Sequence, residues 1–402
     1  MSSEVSVRVF RTVPEIEELR PWWGVWHGNP DADIDLFLSF FRAGSEIVRP
    51  HVIVVYRSGI PDAIFVGRID RRPMTFRIGY LNFRPKANIL FFVAGAFKGN
   101  PSRGNSELLV QEICNSLSRR EADVAYLNLL RIDSDLFKLA KELPGFTRRD
   151  HFCTIQPHFI TPVPKSPDEF YKSLGPKTRQ ELRRKQQKLE KEITGPIRIR
   201  CFKEVTEFDE AIKTAEEVAK KSYLRGLGVG FDTSTQSREI LRVKAEKGWL
   251  RTYVLYANEE PIAFWMGDLI QGTFGGNFTG YDPGIAKYSP GMYLMAKVIE
   301  DFCNGKDCEV TRIDFGPGGA PYKASLGKSE GDEATVHIFS RSLKGIELNL
   351  LRSLTNGIHQ PLKKALEKTN LLARIKKAWR SRAGQKSHPA PTASSPKQSS
   401  AA

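Results

Sequence analysis

The order of apolar runs constrains this chain most, because the same order occurs twice. In the first half, alternating apolar residues predict strands near 51–57 (HVIVVYR), 62–70, 75–81 and 88–96 (NILFFVAGA). A helical period over 104–120 follows, then a strand at 123–129, a helix at 134–142 and a strand through 151–160. In the second half, a strand at 197–203 and helices at 208–222 and 235–247 come first. Strands at 250–257, 261–270 and 273–281 then precede a helix at 290–304, a strand at 310–315, a short helix near 320–326 and a strand at 334–340. Between the halves lies TPVPKSP (161–167), whose three prolines suit neither a helix interior nor a central strand. The halves share the pattern without visible sequence similarity. Mainly antiparallel strands interleaved with helices predict a mixed α/β fold in two domains, 1–160 and 165–340.

The formal charge of +15 suggests a nucleic-acid partner until it is mapped. Residues 341–402 hold 13 Lys/Arg against Glu347 and Glu367, which leaves only +4 on residues 1–340. A nearly balanced body argues against a nucleic-acid footprint. The five cysteines are scattered and never spaced C-x-x-C, so neither a disulfide scaffold nor a zinc site is expected. His151-Phe152-Cys153 is too isolated to hold a metal, and none is predicted. The first twenty residues lack an apolar leader segment, and no stretch has 18 uninterrupted apolar residues. The expected location is the cytoplasm.

Two clusters carry possible chemistry. In the first, a strand ends at Tyr281-Asp282-Pro283 and Ser289-Pro290-Gly291-Met292 opens a helix. Serine is a favoured N-cap and proline a favoured first helical residue. Free amides and the positive dipole end of such a helix form a cradle for a pyrophosphate, with Lys287 adding charge. The alternative is a well-capped helix that binds nothing. In the second cluster, Asp314-Phe315 runs into Gly316-Pro317-Gly318-Gly319, and Tyr322 and Lys323 start a short helix. Tyrosine can protonate a leaving thiolate and lysine can hold an anion, although a plain turn has the same composition. The glycines match neither G-x-G-x-x-G nor a Walker A loop. Helix 176–193 carries seven Lys/Arg and three Glu; it reads as a solvated face, with Arg179 and Arg183 as contacts should it bind an anionic ligand. Gly226-Leu227-Gly228-Val229-Gly230 reads as a loop over a cleft.

The segment GYDPGIAKYSPGMYLMAKVIED, followed by IDFGPGGAPYKASLG, resembles the acetyltransferase-like domain of the GNAT superfamily found in bacterial cellulose-biosynthesis proteins. KKSYLRGLGVGF and GWLRTYVLYANEEPIAFWMG fit the same family, and the resemblance covers about residues 165–340. PWWGVWHGNPDADIDLFLSFF resembles the family's opening segment, and the two halves together suggest a tandem-GNAT architecture related to Fem-type transferases. The resemblance implies acyl transfer from acyl-CoA, acetyl-CoA foremost, to an amine or hydroxyl. Lys287, Ser289, Pro290, Gly291 and Met292 would hold the CoA pyrophosphate, and Tyr322 would act as the acid. Asp282 and Asp268 are the base candidates, because strand 273–281 has no carboxylate. Asp314 would fix the glycine turn. The turn GPGGAP departs from the family, which often places a charged pair there, and this bears on the acceptor.

Two rival readings remain: a Fem-like aminoacyl transferase, and a non-catalytic partner in an exopolysaccharide-synthesis assembly. Beyond the second half, Leu343, Ile346, Leu350 and Leu354 recur at helical spacing until Pro361, which is expected to break the run. A second helix is predicted with Leu362, Leu366, Leu372, Ile375 and Trp379 on one side. Residues 341–382 therefore read as a basic amphipathic extension suited to an anionic membrane surface or a partner protein, unless the stripe packs on its own domain. The Pro/Ser/Ala-rich tail 383–402 is expected to be disordered.

Overall fold

The computed structural model describes residues 4–26, 29–42, 46–78, 81–193, 195–221, 231–306 and 309–368. The Gly226–Gly230 run, Cys308, the segment 369–382 and the tail lie outside them. The first half comprises β1 (Val5–Phe10), α1 (Val13–Glu18), α2 (Arg20–Trp23), α3 (Ile34–Arg42), β2 (Ile47–Pro50), β3 (Val52–Arg57) and β4 (Ile60–Pro73). It continues with β5 (Phe76–Ile78), β6 (Leu81–Phe83), β7 (Lys86–Gly99), α4 (Arg103–Ser118), β8 (Val124–Arg131), α5 (Asp135–Glu142) and β9 (Thr154–Pro162). The second half holds α6 (Pro167–Ser173), α7 (Pro176–Glu192), β10 (Ile197–Phe202), α8 (Phe208–Lys221), α9 (Thr235–Glu246), β11 (Leu250–Ala257), β12 (Glu260–Ile270) and β13 (Thr273–Tyr281). It ends with α10 (Pro290–Cys303), β14 (Arg312–Pro317), α11 (Pro321–Leu326), β15 (Lys328–Phe339) and α12 (Leu343–Lys368). The strand expected over 75–81 is instead a hairpin of β5 and β6, which pair only with each other.

Thirteen strands form one sheet in the order β1-β3-β4-β7-β8-β15-β9-β14-β13-β12-β11-β10, with β2 beside β4. Among the described residues only β7–β8 and β13–β14 are parallel, and in each pair a helix makes the crossover. The halves exchange strands. β15, from the end of the second half, pairs with β8 of the first; β9, from the end of the first, pairs with β14 of the second. β15 and β9 pair with each other at the centre. Val336 and Ile338 accordingly sit in the first-half core, and Phe159 sits in the second.

Strand β11 is buried along its whole length because the sheet is covered on both faces. Tyr253, Leu255 and Ala257 face the core under α7 and α10, while Val254 and Tyr256 face the core under α8 and α9. Successive side chains point to opposite faces, so one strand feeds two cores. Helix α12 runs straight through Pro361, contrary to the expected break. The carbonyl four residues back, which a helical proline leaves without its bond, belongs to Gly357, whose backbone is the freest to adjust. The inner side of α12 buries Leu348 against Phe76, Ile89 and Phe339. Leu343, Ile346, Leu350 and Leu354 are exposed on the other side.

Candidate active site

The site begins where β13 and β14 part. They pair only over Thr273↔Arg312, Phe274↔Ile313 and Gly275↔Asp314. Beyond that point β14 follows β9 (Gly316↔Phe159, Pro317↔His158), while β13 follows β12 to Tyr281. The edge of residues 276–281 that faces β14 is therefore open. A register shift at Met266/Gly267 leaves Asn277 as an extra residue beside the fork, a bulge of the kind that re-aims a strand. The glycines here answer to packing: a Cβ on Gly267 would lie 2.1 Å from the Gly275 carbonyl oxygen, and one on Gly276 would lie 2.3 Å from Trp265 Nε1.

Past Tyr281 the chain turns on Asp282, whose Oδ1 accepts from the Gly284 amide (2.8 Å) and whose Oδ2 pairs with Lys221 Nζ (3.0 Å). Ser289 is not the side-chain cap its position suggested. It adopts left-handed backbone angles (φ 54°, ψ 56°), and its hydroxyl makes no capping bond. The chain must reverse there between a 3₁₀ turn (Pro283–Tyr288) and α10, and such strained non-glycine positions concentrate at ligand sites. The first intrahelical bond runs from the Tyr293 amide to the Ser289 carbonyl (3.0 Å). The amides of Gly291 and Met292 precede it and point out of the helix end. Lys287 is exposed, with Nζ 4.6 Å from the Tyr288 ring centroid and 4.0 Å from Glu192.

On the far side of the fork, Asp314 holds the glycine turn by accepting from the Gly316 amide (2.6 Å). Gly316 and Gly318 have φ of +73° and +116°, which explains two of the glycines in GPGGAP. Lys323 Nζ donates to the Pro317 carbonyl (2.8 Å), and burial lowers its pKa, with the Asp314 carboxylate opposing. Tyr322 packs its ring against the second-half core, and burial raises its phenol above the usual value.

The structure adds two residues that the sequence did not single out. His158 of β9 donates from Nε2 to Asp314 (2.7 Å) and from Nδ1 to Glu333 of β15 (2.9 Å). Both ring nitrogens donate, so the ring is an imidazolium, and its two carboxylate partners raise its pKa to about 10. Glu333 Oε2 is buried and accepts no hydrogen bond. Only the strand exchange brings these groups together, and no local spacing announces it.

The other candidates lie elsewhere or are engaged. Asp268 is buried against Lys244 Nζ (2.5 Å) and Asn277 Nδ2 (2.6 Å). Arg179 donates to the carbonyls of Lys172 and Leu174, and Arg183 lies over the Tyr171 ring, both beside an open groove of about 410 Å³. Helix α7 reaches the α10 cradle at its other end, where Tyr288 donates to Glu192 and Tyr293 to Glu190 (3.0 Å). Arg183 stands nine residues up the helix from Glu192, about 14 Å along the axis. The structure does not bring these arginines to Ser289.

A forked parallel pair, a helix N-terminus after the first strand of the fork and a tyrosine after the second thus meet at one place in a mixed α/β fold. Residues 176–324 match the family model described as acetyltransferase (GNAT) domain. Among solved structures the chain is similar to FemX, at 10% identity over 82% of this chain and 96% of that one, with a TM-score of 0.51. It is also similar to a conserved protein of unknown function from Bacteroides thetaiotaomicron (12%, 84% and 100%, TM-score 0.48) and to a tandem GNAT protein from the clavulanic acid biosynthesis pathway (10%, 83% and 98%, TM-score 0.47). At 10% identity the likeness to FemX is one of fold alone. No curated protein matches the sequence.

Proposed function

We propose that the protein is an acyltransferase that moves an acyl group, most simply acetyl, from CoA to an amine or hydroxyl. The fork between β13 and β14, with the Gly291 and Met292 amides at one arm and Tyr322 at the other, carries this reading. The two amides and the helix dipole receive the pyrophosphate. The open edge of 276–281 offers backbone groups to the amides of the CoA arm, as an unpaired strand edge does for a peptide. Transfer is direct: the acceptor attacks the thioester carbonyl, the carbon–sulfur bond breaks and Tyr322 protonates the departing thiolate. Asp268 and Asp282 are committed to Lys244 and Lys221, so the base we assign is Glu333, held by the His158 imidazolium with Oε2 unused. Acetyl-CoA at about 100 times its Kd should stabilise the native state by about 2.7 kcal/mol. A melting temperature unmoved by saturating acetyl-CoA would overturn the reading.

The acceptor is proposed to be glycan-related and the setting polysaccharide or cell-envelope synthesis, on the resemblance of 165–340 to cellulose-biosynthesis proteins. No helix among the described residues is long and apolar enough to cross a membrane. The exposed stripe of α12, with the basic residues around it, supports docking on the inner, anionic face of a membrane from the cytoplasm. Leu350→Glu with Leu354→Glu should abolish co-sedimentation with phosphatidylserine vesicles at low salt without lowering Tm, since both side chains are exposed. Equal sedimentation of variant and parent removes the stripe from that role.

A further inference from the structure

A cavity of about 510 Å³ opens where the exchanged strands meet, within the size range of small-molecule sites. Thr154 and Gln156 of β9, with Thr335 and His337 of β15, contribute to its floor. The stretch 72–76 forms one wall, and Arg352, Thr355 and Asn356 of α12 form the other. Two guanidiniums, Arg72 and Arg352, line it, and among the described residues no carboxylate does. The acids that partner them, Asp70 and Asp150, are 3% and 1% exposed and stand outside the lining. Arg352 Nη2 is 2.8 Å from Asp150. Asp70 is held by Arg68 at 2.9 Å and lies 3.6 Å from Arg72 Nε, which is buried and makes no hydrogen bond. The hydroxyls of Thr75, Thr154, Thr335 and Thr355 and the amides of Gln156 and Asn356 complete a lining rich in neutral donors and acceptors.

Strand β9, which supplies part of the cavity floor, is also the strand that pairs with β14 of the fork. Gln156 and His158 share a face of β9 two residues apart, about 7 Å. Glu333 stands opposite Gln156 in the β9–β15 register and, with His158, lines a separate cavity of about 180 Å³.

We infer that this cavity is the acceptor site and that it takes a polyhydroxylated anion, a sugar bearing a phosphate or a carboxylate. Its charge meets Arg72 and Arg352, its hydroxyls meet the threonines and amides, and its nucleophile extends past Gln156 towards Glu333 in the neighbouring cavity. Guanidinium groups favour such anions because their donors are planar and paired. The assignment rests on the acyl-transfer reading above, and the test separates the two.

Glucose 6-phosphate, glucuronate and glucose are titrated calorimetrically into the full chain with saturating CoA present, which fills any phosphate cradle at α10. At least one anionic sugar should bind about tenfold or more tightly than glucose, and Arg72→Gln should remove that preference while Arg72→Lys keeps part of it. The stronger of the two anionic arms identifies the charged group. Thr355→Asp, which places a carboxylate in the lining from the opposite wall, should weaken the same sugar if Arg72→Gln disturbs the fold. Anionic sugars that bind no better than glucose, or that bind both variants as well as the parent, overturn the inference. Anionic sugars that bind as expected to a chain that ignores CoA overturn the acyl-transfer reading instead.

Discussion

Replacing Gly291 with glutamate should abolish CoA binding and leave the fold intact. A Cβ at this position would sit 3.5 Å from Tyr281 Cδ1, an ordinary contact, so the substitution is sterically mild. An acid in the first turn also suits the helix dipole, which favours folding of the variant. The same acid occupies the space in front of the free amides and repels a pyrophosphate that would otherwise collect there. Affinity for CoA should fall about 100-fold or more, which is about 2.7 kcal/mol. Calorimetric titration of parent and variant with CoA measures this directly. If affinity is unchanged, the α10 terminus is only the start of a helix.

Tyr322→Phe should cost about 10²–10⁴ in kcat with little change in CoA affinity, because a proton donor acts in the transition state. Tyr322 suits that part because burial keeps the phenol protonated well above neutral pH. At the other end of the transfer, Glu333→Gln keeps the shape and an acceptor oxygen for His158 but removes the base. It should lower kcat with little change in CoA affinity. Steady-state kinetics by release of free CoA thiol, against whichever acceptor supports turnover, read both variants. Parental kcat in either variant would remove that residue from the chemistry.

Local sequence carries the element types well. HVIVVYR, LRTYVLYA and TFGGNFTGY read as strands because a two-residue period against covered faces leaves little alternative. SPGMYLMAKVIED marks a helix start because proline at the first position is at home there. Sequence does not show which strand each one meets. β9 and β15 look like the closing strands of their own halves, yet each closes the other, and that choice depends on the sheet as a whole. The missed residues follow from it: His158 and Glu333 are ordinary polar positions until β9 and β15 lie side by side. Asp282 and Asp268 are legible as carboxylates near the fork, but their lysine partners come from α8 and α9, far along the chain. Ser289 shows a further limit, since its residue type suits a cap and its backbone does otherwise.

The exchange of β9 and β15 sets the order in which a ribosome can deliver a finished molecule. When residue 162 has emerged, β8 still has an unpaired edge, and the partner that will cover it is the last strand of the sheet, ending at Phe339. The first half must wait through about 170 further residues, at roughly 5–20 residues per second, for the piece that completes it. Its open edge is a template for any extended chain nearby during that interval. The two halves thus mature together. Neither can be borrowed as a module in another protein, and a nascent chain stalled in the second half leaves the first one incomplete as well.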